Sequence, residues 1–269
     1  MGSLSDYAEN ALLNHLTTNA AYSPAATIYL ALCTADPTDA GTGASMNECA
    51  NSGAYARKAI TFGAASSRRV TQNATVTYDQ ASGSWGTISH WAIVDSATHG
   101  AGNMLAHGAF SVSKSVVSGN TPSVASSEVY VEITASTGLS TYFANGFLDR
   151  MFRNQAFTVS ATYAALATSA PSDGAAGTEV SGNNYARKQI SANGGSAPAW
   201  GTVSAGSVSN GAAVTFATPS GSWGTVTHMM IMDASTSGNM LAYGDVTDNA
   251  VAASDTVQFG TGALVINQA

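Results

Sequence analysis

Charge is what this 269-residue sequence has least of. Nine Lys and Arg stand against 16 Asp and Glu, 9% of residues are charged and the formal net charge is -7, where about a quarter charged is usual. A chain so poor in bases is not built to neutralise a row of phosphates, so no nucleic acid is expected as a partner. Cysteine is almost missing as well. Cys33 and Cys49 are the only two, too few for a disulfide framework at this length, and no Cys-x-x-Cys or Cys/His spacing suggests a metal, so free thiols are expected, with a single Cys33–Cys49 bridge as the alternative. No apolar run approaches the roughly 18 residues of a membrane span, so no membrane is expected either. The opening MGSLSDYAEN holds no Lys or Arg; no export signal is visible, and synthesis in a cytosol is expected.

What is present is small and apolar. Hydrophobic types reach 45%, much of it alanine, and 27 glycines with long Ser/Thr/Asn stretches leave few strong helix formers, which points to β-structure and turns. The chain then repeats itself. Tyr55-Ala56-Arg57-Lys58 returns as Tyr185-Ala186-Arg187-Lys188, Gly83 to His90 as Gly221 to His228, and Gly102-Asn103-Met104-Leu105-Ala106 as Gly238-Asn239-Met240-Leu241-Ala242. Solenoid and propeller units run about 20–50 residues, so a period this much longer is a duplicated domain. The expected domains are 1–136 and 137–269, with the boundary in the small-residue stretch from Thr134 to Gly138.

Each copy opens on helical spacing: Leu4, Tyr7, Ala8, Ala11, Leu12 and Leu16 behind Ser3 and Ser5, then Tyr142, Phe143, Phe147 and Met151 behind Ser140, with a serine to cap the first turn. Strand signals follow, among them Thr27–Cys33, Thr87–Val94, Met104–Gly108 and Glu128–Thr134, separated by Gly, Pro, Asn and Ser clusters. The fold expected is mainly β: two tandem β-sandwich-like domains of jelly-roll or open-barrel type, each with a short N-terminal helix.

Chemistry is harder to find. His90 and Asp95 recur as His228 and Asp233, but five residues along one strand put two side chains on opposite faces, so structural roles are expected. No G-x-S-x-G elbow appears, and the glycine-rich stretches lack the lysine of a phosphate loop. No enzyme, catalytic residue, metal site or cofactor is expected. The repeated Tyr-Ala-Arg-Lys holds four of the nine bases. It could meet an acidic partner at the surface, or its arginines could pair internally, Arg57 with Asp95 and Arg187 with Asp233; a carboxylate recurring in register with the arginine favours the internal pair. Tyr55, Trp85, Tyr185 and Trp223 are expected in the core. The copies differ in the loop carrying Met46 to Cys49, in the longer loop through Ala197 to Trp200, and in Trp91 against Met229.

These residues resemble a family of small tailed-bacteriophage virion proteins described as tail-fibre-like or head-decoration proteins. The resemblance rests on Leu4-Ser5-x-Tyr7, Tyr29-x-Ala31-Leu32 with Pro37 and Asp39, Tyr55-Ala56-Arg57, Trp85-Gly86-Thr87 leading to His90 and Asp95, and Gly102-Asn103-x-Leu105. It implies a structural or adhesive protein of the virion, made in the host cytoplasm, with no catalytic residues. The leading expectation is a capsid decoration or cement protein that docks on major capsid protein, or other virion proteins, and self-associates on a symmetric lattice. It leads because the sequence has no coiled-coil shaft. The alternative is a tail-fibre or adhesin subunit contacting a host surface glycan or receptor.

Overall fold

The computed structural model describes residues 2–135, 138–192 and 199–268. Part of the longer loop of the second repeat, Ala197 and Pro198, lies outside them. The first repeat runs β1 (Gly2–Leu4), α1 (Asp6–Thr17), β2 (Tyr29–Cys33), β3 (Lys58–Ala59), β4 (Arg69–Thr71), β5 (Val76–Thr77), β6 (Gly86–Val94), β7 (Met104–Val116), β8 (Ser123–Val124) and β9 (Tyr130–Glu132). The second runs α2 (Thr141–Arg153), β10 (Ala161–Ala167), β11 (Lys188–Ala192), β12 (Ser207–Ser209), β13 (Val214–Thr215), β14 (Gly224–Met232), β15 (Met240–Val251), β16 (Gln258–Phe259) and β17 (Val265–Asn267). The chain is mainly β, with a sheet curled into a half-barrel.

Register carries the duplication into three dimensions. Leu32 lies opposite Trp91 and Cys33 opposite His90; Leu166 lies opposite Met229 and Ala167 opposite His228. Both β6–β7 and β14–β15 are long antiparallel hairpins with a bulge at the same place. In the first, His90 pairs Ala109 and Ile88 pairs Lys114, so Ser89 alone faces Phe110, Ser111, Val112 and Ser113. In the second, His228 pairs Asp245 and Val226 pairs Asn249, so Thr227 faces Val246, Thr247 and Asp248. Beneath the hairpins lie matching clusters, Ala31, Cys33, Met46, Ala92, Val94 and Met104 in one and Ala165, Ala167, Met230, Met232 and Met240 in the other. Their inward alternation is what one buried sheet face requires.

The serine caps form in both copies. Ser5 Oγ accepts from the Ala8 amide at 3.3 Å and donates to the Met104 carbonyl; Ser140 Oγ accepts from the Phe143 amide at 3.1 Å and donates to the Met240 carbonyl. Each cap therefore starts a helix and ties it to a strand. Thr18 and Asn154, just beyond the helix ends, take φ of 62° and 52°, the left-handed turn that stops a helix. Ser3, the other capping candidate, is in β1, which pairs with β7; Leu4 therefore belongs to a strand where the spacing suggests helix.

The compact units and the repeats do not share boundaries. One unit joins Ser23–Ile133 to the segment ending at Glu9 and to Asn145–Ala156; the other joins Asn10–Tyr22 to Thr134–Ala144 and to the chain from Phe157 onward. Each helix is thus divided between the units. In the first unit Phe152 packs on Phe62 with ring centroids 5.3 Å apart, and Asn145 and Asp149 accept amides from Arg68 and Ala65, both at 2.8 Å. In the second, His15 stacks on Phe157 at 5.6 Å, Thr18 bonds Ser191 at 2.9 Å, and Asn19 donates to the Gly201 carbonyl at 2.9 Å. The expected boundary at 136/137 separates the repeats in sequence; the apolar helix stripes find their cores across it.

Candidate functional site

The repeated arginines sit at the hairpin end of each unit. Arg57 follows Tyr55 on the way into β3. Its Nε donates to Glu48 Oε1 at 2.9 Å and its Nη2 to Glu48 Oε2 at 2.7 Å, a two-point contact between fork and carboxylate. Nη2 also donates to the Gly43 carbonyl at 2.9 Å, and Nη1 donates to the carbonyls of Ser96 and Ala101 at 2.9 and 2.8 Å. All five guanidinium donors are used. Tyr55 Oη adds a bond to Glu48 Oε1 at 2.7 Å and accepts from the Leu32 amide at 3.0 Å.

The second repeat builds the same site. Arg187 reaches Glu179 at 2.8 and 2.7 Å and the carbonyls of Ala234 and Ser237 at 2.7 and 2.6 Å. Tyr185 donates to Glu179 at 2.9 Å and accepts from the Leu166 amide at 2.8 Å. Hydrogen bonding to Glu179 is the main cause holding the Arg187 pKa above its ordinary value.

The carboxylate expected beside each arginine is therefore replaced by another. Asp95 and Asp233 stand at the start of the loop the arginine grips, next to Ser96 and Ala234 whose carbonyls it binds, and each binds backbone and side chain of one asparagine. Asp95 takes the Asn103 amide and Nδ2, both at 2.7 Å; Asp233 takes the Asn239 amide and Nδ2 at 2.6 and 2.8 Å. Each aspartate directly follows its strand and its carboxylate closes its own hairpin loop, leaving the arginine to a glutamate from the preceding loop. The sequence offered only an acid upstream of each tyrosine, at unequal spacing. Glu48 precedes Tyr55 by seven residues and Glu179 precedes Tyr185 by six.

Tyr55, Trp85 and Trp223 are 4, 3 and 5% exposed, and Tyr185 is half-buried. Tyr55 and Trp85 meet edge-on at 5.2 Å, Tyr185 and Trp223 at 5.3 Å. Each indole N–H donates to a backbone carbonyl, Gly53 and Asn183 respectively. The tryptophans thus close the clamp from one side.

The histidines are dispersed. His90 Nδ1 bonds Ser89 at 2.8 Å and His228 Nδ1 bonds Thr227 at 2.7 Å, neither meeting the aspartate five residues on. His99 reaches the Cys49 carbonyl at 3.0 Å, and His107 reaches Asp39 at 2.8 Å. Cys33 and Cys49 are buried free thiols. Burial, with the Glu48 charge second, pushes the Cys49 pKa up to about 12, and the same causes push Cys33 up. Burial raises both Tyr55 and Tyr185. Burial thus favours the protonated form of each of these groups. Among the described residues no three His, Cys, Asp or Glu side chains are placed to hold a metal ion. No helix among them is long and apolar enough to cross a membrane.

Arg57 uses every guanidinium donor within the protein and Arg187 four of its five, and each fixes a loop, Asp95–Asn103 or Asp233–Asn239, and the hairpin behind it. The chain matches a protein family, Gp80, described as podophage GP4 fiber I protein gp80, at residues 3–132 and again at 138–267. It is a member of that family, present as two tandem copies. No curated protein is similar enough to the chain to match it.

Proposed function

We propose that this protein is a fibre subunit of a podophage virion that contacts the host surface, through its exposed hairpins and loops, by shape and hydrogen bonding without catalysis. Membership of a fibre family across both repeats carries this reading. It favours the fibre alternative over capsid decoration. The absence of a shaft, which made decoration the leading expectation, weighs less for a subunit that can be one globular part of a longer assembly. The braced hairpins suit this role, since a rigid scaffold lowers the ordering cost of presenting a contact surface. Other virion proteins are the partners this reading implies.

Gold-labelled antibody against the chain, viewed on intact particles by electron microscopy, tests it. Label confined to fibres, together with block of adsorption by the purified protein, is the expected result. Label spread over the shell, with adsorption unaffected, returns the protein to capsid decoration.

A further inference from the structure

The two helical segments share few residues, and those they share serve the fold at every position but one. Aligned from Leu4 and Leu139, they are identical at Leu4 and Leu139, Ser5 and Ser140, Tyr7 and Tyr142, Asn10 and Asn145, and Leu13 and Leu148. The leucines are buried and the serines are the caps. Asn10 accepts the Gly206 amide at 3.1 Å and Asn145 the Arg68 amide at 2.8 Å. Tyr7 and Tyr142 are the exception. They stay 42 and 45% exposed, and among the described residues neither hydroxyl has a hydrogen-bond partner. A single exposed aromatic is ordinary; the same one kept in both copies, while most of the helix around it changed, asks for a role outside the fold.

Each tyrosine stands near the same pair of polar side chains. The Ser5 amide donates to the Leu105 carbonyl at 3.1 Å and the Ser140 amide to the Leu241 carbonyl at 2.9 Å, so each helix starts at the head of β7 or β15, close to Asn103 or Asn239. Side chains of a helix tilt toward its N-terminus, which leans each ring toward that start. Burial first, then the Asp95 charge, raises the pKa of Tyr7, and burial, then Asp233, raises that of Tyr142. Each hydroxyl therefore lies in the field of the aspartate that holds the asparagine. Asn103 and Asn239 are exposed and the two aspartates half-buried. Each carboxylate oxygen accepts one bond from its asparagine and keeps a second lone pair for another donor.

We propose that each repeat binds one pyranose ring of a surface glycan here, with the C–H face of the sugar on Tyr7 or Tyr142 and its hydroxyls donating to the aspartate and asparagine beside it. A sugar offers an apolar face and several donors along its edge, the complement of an exposed aromatic face next to a rim of acceptors. A quaternary ammonium would also suit a ring and a carboxylate, but its recognition uses a cage of several aromatics, and each site has one exposed tyrosine. Because aspartate and asparagine already hold one another, binding has little left to order. The proposal deepens the fibre reading and rests on it for the source of the glycan.

The test uses the full chain carrying ring-¹³C tyrosine, titrated with methyl glycosides of glucose, galactose, mannose, N-acetylglucosamine and rhamnose. Tyr7→Ala and Tyr142→Ala, each at an exposed position, identify the two resonances by their loss. At least one glycoside is expected to move both and to leave the other tyrosines unmoved. Saturation transfer from protein to that glycoside is expected to vanish in the variant carrying both substitutions. Asp95→Asn is expected to weaken the Tyr7 site about tenfold, the effect of losing a charge-assisted hydrogen bond, with Tyr142 responding as before; the alanine variants stand as the test even if Asp95→Asn disturbs its loop. The proposal fails if no glycoside moves both resonances, if the double variant binds as wild type does, or if tetramethylammonium moves the two tyrosines where no sugar does. Sugar binding combined with antibody label on the shell would instead refute the fibre reading and leave the sites intact; label on fibres without sugar binding would do the reverse.

Discussion

Arg57 and Glu48 form a two-point contact with side chains 0 and 4% exposed, whereas in the equivalent pair Arg187 and Glu179 are 7 and 27% exposed. The chemistry is the same and the solvent access is not. Among the described residues, Arg187 has no counterpart of the Gly43 carbonyl that Arg57 also binds.

The two clamps should therefore respond unequally to loss of the acid. Glu48→Ala leaves a buried guanidinium without its counter-charge and should cost about 3–5 kcal/mol. Glu179→Ala lets water reach Arg187 and should cost less, on the order of 1–3 kcal/mol. Denaturant unfolding of the two variants beside wild type measures both; equal losses would show that burial does not set the difference.

Glu9 gives the fold a pH dependence. Burial first, then the charges of Asp39 and Asp6, raises its pKa from 4.5 to about 7. Because the folded state holds this proton more tightly than the unfolded chain, the unfolded state loses it first as pH rises from about 4.5, and stability falls until the folded group has also titrated near 7. Glu9→Gln should match wild type near pH 4.5 and melt at a higher temperature at pH 8. A melting difference between the two proteins that does not change across that range would remove Glu9 as its source.

Both thiols should be silent in the native protein. Cys33 and Cys49 are 0 and 1% exposed with raised pKa values, so a thiol-specific chromogenic reagent at pH 8 should count none before denaturant and two after it. A fast-reacting native thiol would show that this region opens readily.

Residues 1–136 alone should fail to unfold cooperatively, because Phe62, Arg68 and Ala65 lose the α2 residues on which they pack. Mixed with 137–269, the fragment should regain a sharp thermal transition, since each unit then recovers its helix segment. Independent sharp melting of 1–136 would mean that the exchanged helix segments are dispensable.

The phase of the duplication was legible from Tyr55 and Tyr185, and so were the strands around His90 and His228, because sequence period and strand register survive duplication together. The partners of the arginines were not. Glu48 and Glu179 stand at different spacings from their tyrosines, and an ion pair closed by a loop leaves no periodic trace. The spacing of Leu12 and Leu16 shows that one face of α1 is buried and is silent on which repeat covers it. The Trp91 to Met229 change is visible in the sequence, but not that the Trp91 ring lies against Gly2, a pairing of positions 89 residues apart. β7 also runs to Val116, past the Gly108 expected as its end; Phe110, Val112 and Val116 alternate with serines there, but most of that half is solvent-facing, so its apolar residues mark no core.

The bulges opposite Ser89 and Thr227 have a consequence for how this protein survives at high concentration. β7 is 13 residues long, and most of its outer half is exposed, Val112 to 66%, so a regular edge there would template strand-to-strand association between molecules. Proteins commonly prevent this with charged gatekeepers, which a chain with 9% charged residues has few to spend. Four residues of β7 against one of β6 break the straight row of amides and carbonyls that a neighbouring strand would need. Deleting the extra residues should therefore produce fibrillar aggregates before it produces any loss of fold.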